Sequence, residues 1–175
     1  KQGMIWIGTQ DGLNNFDGKN FNTYRHSDED STTISDQFVV KLQEDKLNNI
    51  WIGTRNGLNS FNKHTQEFKR YYTDPQEKHS FQAAYFNFYV QQDNKVVVVK
   101  DQVFLLDPFA NTLKQLKLSL PRNTRCFINE YYMACAIDEN NQLYFLPDLR
   151  KSEIIKLAVS PFSDKENLYS ISAVP

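Results

Sequence analysis

Apolar and polar residues alternate in short runs along this chain, and the runs are too short for helices. Ile5-Trp6-Ile7 passes through Gly8-Thr9 and a two-residue turn, Gln10-Asp11, into Gly12-Leu13-Asn14-Asn15-Phe16. The same order returns forty-five positions later: Ile50-Trp51-Ile52-Gly53-Thr54, then Arg55-Asn56, then Gly57-Leu58-Asn59-Ser60-Phe61. Alternation with period two, bounded by Gly, Asn and Asp, predicts antiparallel β-strands. A self-match at one fixed offset predicts a repeated supersecondary unit, and about 45 residues hold the four strands of one β-propeller blade. The expected fold class is therefore all-β, a β-propeller of about four blade-sized, four-stranded antiparallel sheets.

The repeat continues after its signature residues have gone. Before the second copy, residues 38–45 read as an inner strand, and Lys46-Leu47-Asn48-Asn49 as the turn into Ile50. The same inner-turn-middle order recurs with residues 87–91 leading through 92–95 into Val96-Val97-Val98-Val99. It recurs again with residues 133–138 leading through 139–142 into Leu143-Tyr144-Phe145-Leu146. In this register Val97 and Tyr144 stand where Trp51 stands. The units are expected at about 1–33 (partial), 34–80, 81–124 and 125–165. Residues 166–175 form the inner strand of a further or closing blade.

Two arrangements fit the ends. Residues 168–174 resemble an inner strand, and the first unit opens on a middle strand. Either the last strand completes the first blade and closes a ring, or the chain belongs to a longer array. The second is the expectation, which leaves the edge strand beside Ile5 unpaired within the chain.

Composition narrows the function classes. A chain of 175 residues suits one core-bearing domain. The formal charge of −1, from 20 Lys and Arg against 21 Asp and Glu, carries no nucleic-acid footprint. No apolar run is long enough to span a membrane. Lys1-Gln2-Gly3 runs straight into a strand without a signal-peptide pattern, so any targeting segment is expected outside this sequence.

Candidate chemistry is sparse. His26, His64 and His79 fall in predicted loops without metal-ligand spacing, so no metal and no cofactor are expected. Asp28-Glu29-Asp30 reads as a solvated loop rather than a facing pair of glycosidase carboxylates. No nucleophile-elbow motif occurs, and no catalytic residue is assigned. Cys126 and Cys135 lie nine apart. Neighbouring strands could bring them together in an exported protein, and Cys135 also fits an apolar strand as a free thiol. Trp6 and Trp51 stand mid-strand between branched residues, which predicts burial between sheets rather than a sugar platform. Gly8 and Gly53 are expected where a side chain would collide or the strand bends.

The segments Ile-Trp-Ile-Gly-Thr with Asp-Gly-Leu-Asn-Asn-Phe, and Ile-Trp-Ile-Gly-Thr with Asn-Gly-Leu-Asn-Ser-Phe, resemble the two-component regulator propeller repeat. The preceding Leu42-Gln43-Glu44-Asp45 and its turn fit the same pattern. The resemblance is strong over residues 1 to about 74 and moderate to weak over 81–175. Asn49 occupies a turn position where the family usually has Gly, and Asn tolerates the left-handed backbone that such a turn needs. The resemblance implies a ligand-sensing segment of a hybrid two-component signalling protein, periplasmic, with a histidine kinase elsewhere in the protein. It implies an oligosaccharide as the usual ligand class, with further propeller blades and a second sensor subunit as partners.

Propeller topology puts the blade-to-blade connections on the same rim as the turns Gln10-Asp11 and Arg55-Asn56. Arg25, His26, Arg55, Tyr72 and Arg125 are the candidate ligand-binding residues there, with His79 and Arg122 beside them. Arg forks match sulfate or carboxylate groups of an acidic sugar. A protein-interaction or dimerisation scaffold is the alternative, and a propeller lyase or glycosidase a third reading. Converging acids on the rim would favour the enzyme, Arg and aromatics the sensor, and a flat apolar patch the scaffold.

Overall fold

A computed structural model describes residues 3–72, 87–99, 103–116, 118, 125–128, 134–137, 142–146 and 155–156. Every element among them is a strand. The chain divides into two compact units, Lys1–Phe86 and Asn87–Pro175.

In the first unit, β1 (Ile5–Thr9), β2 (Gly12–Phe16) and β3 (Phe21–Tyr24) form a three-stranded antiparallel sheet. β4 (Val39–Glu44), β5 (Ile50–Thr54), β6 (Gly57–Asn62) and β7 (Glu67–Tyr71) form a four-stranded one in simple chain order. The repeat is exact at the level of register. Ile5 lies opposite Phe16 and Phe16 opposite Phe21, as Ile50 lies opposite Phe61 and Phe61 opposite Phe68.

The signature residues explain this identity. Thr54 Oγ1 donates to the Gly57 carbonyl at 3.0 Å and accepts from the Asn56 amide at 3.3 Å, which closes the hairpin turn. Thr9 does the same with Gly12 and Asp11 at 2.9 and 3.1 Å. Gly12 and Gly57 have φ of 124° and 150°, backbone that favours glycine.

The two sheets pack face to face through aromatics. Trp6 and Tyr24 of the first meet Phe61 and Phe68 of the second, with ring centroids 5.0–5.5 Å apart. Leu13, Ile34, Val39, Ile50, Ile52 and Phe61 form the buried centre of this contact. Gly8 earns its place in it: a Cβ there would lie 2.5 Å from Val39 Cγ1.

Burial separates the two tryptophans, which the sequence treats alike. Trp51 is 2% exposed, stacked on Tyr71, with Nε1 donating to Asp45 Oδ2 at 3.0 Å. Trp6 is only half-buried; among the described residues β1 is the edge of its sheet, and no strand there pairs with it as β4 pairs with β5.

The described residues of the second unit form two four-stranded sheets. β8 (Asn87–Val90), β9 (Val96–Val99), β10 (Val103–Asp107) and β11 (Thr112–Leu116) pair in chain order. Val97 lies on the second strand, fully buried, as its alignment with Trp51 requires. β12 (Arg125–Ile128), β13 (Ala134–Ile137), β14 (Leu143–Leu146) and β15 (Ile155–Lys156) follow.

Here the expected register fails. β12 precedes β13, so residues 134–137 form the second strand rather than the inner one, and β14 is third. Tyr144 is therefore not the counterpart of Trp51. Once Trp and Gly are lost, one apolar strand-turn-strand looks like any other hairpin of a sheet. Cys126 lies opposite Ala136 and Cys135 opposite Phe127, so the cysteines are not direct cross-strand partners.

The turn between β4 and β5 departs from expectation by one residue. The left-handed position is Asn48, with φ 63°, rather than Asn49, and Asn94 repeats it at 63° before β9. Asn49 serves instead as a donor to Asp45. Residues 168–174, and with them the question of ring closure, lie outside the described residues.

Candidate functional site

The rim expected from topology is present in the first unit. The turn Gln10-Asp11 and the connection leaving β3 meet where Arg25 Nη2 bonds Asp11 Oδ2 at 2.6 Å. That hydrogen bond, reinforced by the guanidinium charge, holds the Asp11 carboxyl below the usual carboxylate range. Both groups are well exposed. At the next sheet the Arg55 amide donates to the Phe38 carbonyl at 3.1 Å. Its guanidinium lies 3.7 Å from the centre of the Phe38 ring, a cation–π contact.

The connection between β3 and β4 is a built loop. His26 Nδ1 sits 2.8 Å from the Ile34 carbonyl and Nε2 sits 2.9 Å from Asp28 Oδ1, both of them acceptors. The Asp30 carboxyl accepts from Thr32 Oγ1 at 2.6 Å and from the Thr32 amide at 2.8 Å, which lowers its pKa. Asp28, Glu29 and Asp30 are exposed, and the first and last of them cap this loop rather than face each other.

Arg70, on β7, organises the loop. Its Nε donates to the Thr33 carbonyl at 2.7 Å. Its Nη2 reaches Thr33 Oγ1 and the carbonyls of Asp30 and Ile34 at 2.9–3.1 Å. Sequence reasoning passed over Arg70 because a basic residue in an alternating strand reads as a solvent-facing position. The available signal was its alignment with Thr23, a short side chain at the same register point of the first sheet.

Deeper in, Ser35, Thr54 and Asn59 form a closed network. The Ser35 amide donates to Asn59 Oδ1 at 3.0 Å and Asn59 Nδ2 donates to Ser35 Oγ at 2.9 Å. Ser35 Oγ and Thr54 Oγ1 are 2.9 Å apart. All three residues are buried. The connection is thereby pinned to the β5–β6 turn, which fixes the platform from which Arg25, His26 and Arg55 project.

Of the candidate residues, Arg25, His26 and Arg55 stand on this rim, each held by its own partner. Tyr72, half-buried, follows directly on β7 at the same end of the sheet. Arg125 was expected in a loop; it is the first residue of β12, paired with Ile137. His79 and Arg122 lie outside the described residues. Among the described residues no group of three His, Cys, Asp or Glu could hold a metal ion. Among them too, no helix is long and apolar enough to cross a membrane.

Residues 33–56 match the two-component regulator propeller family. That stretch contains the Ser35–Thr54 contact, the whole of β4 and β5, and the Asp45–Trp51 bond. Over 35 residues, 20% of the chain, the sequence is 60% identical to histidine kinase P4 of Formosa agariphila, and it spans 3% of that protein. Two solved structures, both extracellular domains of hybrid two-component systems from B. thetaiotaomicron, superpose with TM-scores of 0.68 and 0.67. They share 24% and 15% identity over 90% and 89% of this chain, which spans 23% and 22% of theirs. A streptogramin B lyase superposes at 0.61 with 13% identity, over 93% of this chain and 53% of its own. At these identities the likeness establishes the fold, an all-β propeller architecture of which this chain covers a part.

Proposed function

We propose that this chain, which carries the two-component regulator propeller repeat, is a segment of the extracytoplasmic sensor region of a hybrid two-component signalling protein. The observation that carries the reading is the match over residues 33–56, supported by a 60%-identical stretch in a histidine kinase. The segment binds or relays a ligand and passes the signal to a kinase elsewhere in the protein; it is not itself a catalyst. Its compartment is the periplasm, its ligand an oligosaccharide, and its partners are further blades and a second sensor subunit.

The rim supports an acidic sugar in particular. Arg25 and Arg55 present guanidinium groups at one end of adjacent sheets, with His26 and Tyr72 beside them. A fork offered to sulfate or carboxylate forms paired charge-assisted hydrogen bonds. Arg25 would exchange Asp11 for the ligand, a swap between exposed partners with little desolvation cost.

Calorimetric titration of the chain with neutral, uronate-containing and sulfated oligosaccharides tests this reading. Binding of an anionic oligosaccharide that weakens about tenfold in Arg55→Ala is expected. Turnover of any of these sugars, abolished by one Asp or Glu substitution, would replace the sensor with an enzyme. The scaffold reading has one observation in its favour: Met4, Ile5, Ile7 and Phe21 are exposed. Concentration-dependent self-association without sugar binding would favour it.

A further inference from the structure

The two copies of the repeat differ in charge at one place on the rim. Asp11 and Asn56 each precede the second glycine of their hairpin. Arg25 and Tyr72 each follow a tyrosine at one register point, Tyr24 opposite Leu13 and Tyr71 opposite Leu58. The first copy therefore holds an acid and an arginine where the second holds an amide and a phenol. Gly12 makes room for the arginine. A Cβ there would lie 3.5 Å from Arg25 Cγ, besides meeting the Tyr24 carbonyl, so the arginine stem lies along bare backbone and its head is carried to the turn. At Gly57 the nearest atoms are those of Ser35 and the Tyr71 carbonyl instead.

A single contact makes the pair. Arg25 Nη2 donates to Asp11 Oδ2 at 2.6 Å, and the two side chains are 57% and 68% exposed. A guanidinium carries five N–H donors in a planar fork, and a sulfate or carboxylate that bridges the fork accepts two bonds. Asp11 accepts one, so an incoming anion that bridges the fork gains a bond that Asp11 does not supply. Arg55 stands in a different state. Its guanidinium lies over the Phe38 ring at 3.7 Å, and among the described residues no carboxylate pairs with it.

We propose that Asp11 is a built-in competitor for the anion site at Arg25, a carboxylate that occupies the fork until a ligand group with two acidic oxygens displaces it. The proposal rests on the acidic-sugar reading of the rim and adds a selectivity to it. Arg55 takes an anionic group directly, whereas Arg25 takes one only by displacing Asp11. A neutral hydroxyl carries no charge to set against the carboxylate and leaves the pair closed. Asp11 does not touch the ligand; it is a positioning residue that acts through Arg25. Its removal therefore strengthens anion binding, the opposite sign to the loss of a contact residue.

The experiment uses the 175-residue chain labelled with nitrogen-15, the side-chain Nε–H signals of Arg25 and Arg55 being assigned with Arg25→Lys and Arg55→Lys. Sodium sulfate is titrated into wild type and into Asp11→Asn, with sodium chloride at equal ionic strength as the control. Asn56 fills the same place in the second hairpin, so the turn accepts an amide there. Arg55 is expected to respond to sulfate equally in both proteins. Arg25 is expected to respond at about two- to fivefold lower sulfate in Asp11→Asn, the range that corresponds to loss of an exposed ion pair. An Arg25 response that is equal in the two proteins, weaker in Asp11→Asn or absent from both overturns the inference, while the Arg55 response leaves the rim reading standing. A response at neither arginine, or the same shifts with chloride, overturns both.

Discussion

Arg70 Nε donates to the Thr33 carbonyl at 2.7 Å, across 37 residues of sequence. This bond and its neighbours tie the connection between the first two sheets to the last strand of the second. The rim that carries Arg25 and His26 is therefore positioned by a residue outside the rim.

Arg70→Ala is expected to destabilise the chain by about 1.5–3 kcal/mol, since charged hydrogen bonds to partly buried carbonyls are lost together. Arg70→Lys should restore only part, because an ammonium cannot reach the same carbonyls with a planar fork. Urea unfolding of the three proteins reads both effects. An unchanged midpoint in Arg70→Ala would show that the turn at Asp30–Thr33 holds the loop unaided.

Asp45→Ala is expected to cost about 2–4 kcal/mol, because the amides of Leu47 and Asn49 and the Trp51 indole lose one shared acceptor. Trp51→Ala should cost about 3–5 kcal/mol, the range for a fully packed aromatic, and Trp6→Ala clearly less. A double-mutant cycle of Asp45→Ala with Trp51→Phe isolates the indole bond. A coupling near zero would mean that Asp45 works through the turn alone.

At Gly8 an alanine collides with a side chain, whereas at Gly12 it collides with backbone. Gly8→Ala is expected to destabilise by about 1–3 kcal/mol, and Val39→Ala in the same chain to recover part of that loss. Gly12→Ala should cost more and resist rescue, since its Cβ meets the Tyr24 carbonyl and its φ is 124°. Thermal melts of the four proteins decide it, and full rescue at Gly12 by any side-chain change would contradict the backbone explanation.

Burial raises the Tyr71 pKa above that of free tyrosine; the Ser60 hydrogen bond opposes this weakly and the Asp45 charge adds to it. The folded state thus favours the neutral phenol. Its contribution is fully present below the unfolded value of about 10 and is lost as pH rises through that value toward the folded one. The stability of wild type relative to Tyr71→Phe should be flat to about pH 9 and fall above it. Referring to Tyr71→Phe cancels Lys41, whose pKa burial lowers. A flat difference to pH 11 would place the phenol in contact with water.

The repeat, its hairpins and the strand order of the first two sheets were legible in the residues themselves. Period-two alternation and a Gly-Thr…Gly-Leu-Asn turn are local instructions, read within a dozen positions. The position of Val97 is legible for the same reason: an Asp-Asn turn still announces the second strand of the third sheet. The fourth sheet slipped by one strand because its hairpins differ only in which neighbour they pair with, and pairing is decided by long-range contacts. Arg125 lies inside a strand for the same reason.

Other distinctions belonged to the tertiary structure alone. Trp6 and Trp51 sit in identical pentapeptides; among the described residues β4 pairs alongside β5, and its turn brings Asp45 to Trp51, whereas β1 is an edge. Arg70 gains its role from a loop that arrives from 37 positions upstream. A sequence fixes which faces are apolar and where the chain turns; which strand, loop or carboxylate comes to cover a given side chain depends on distant segments meeting, and no local pattern encodes that.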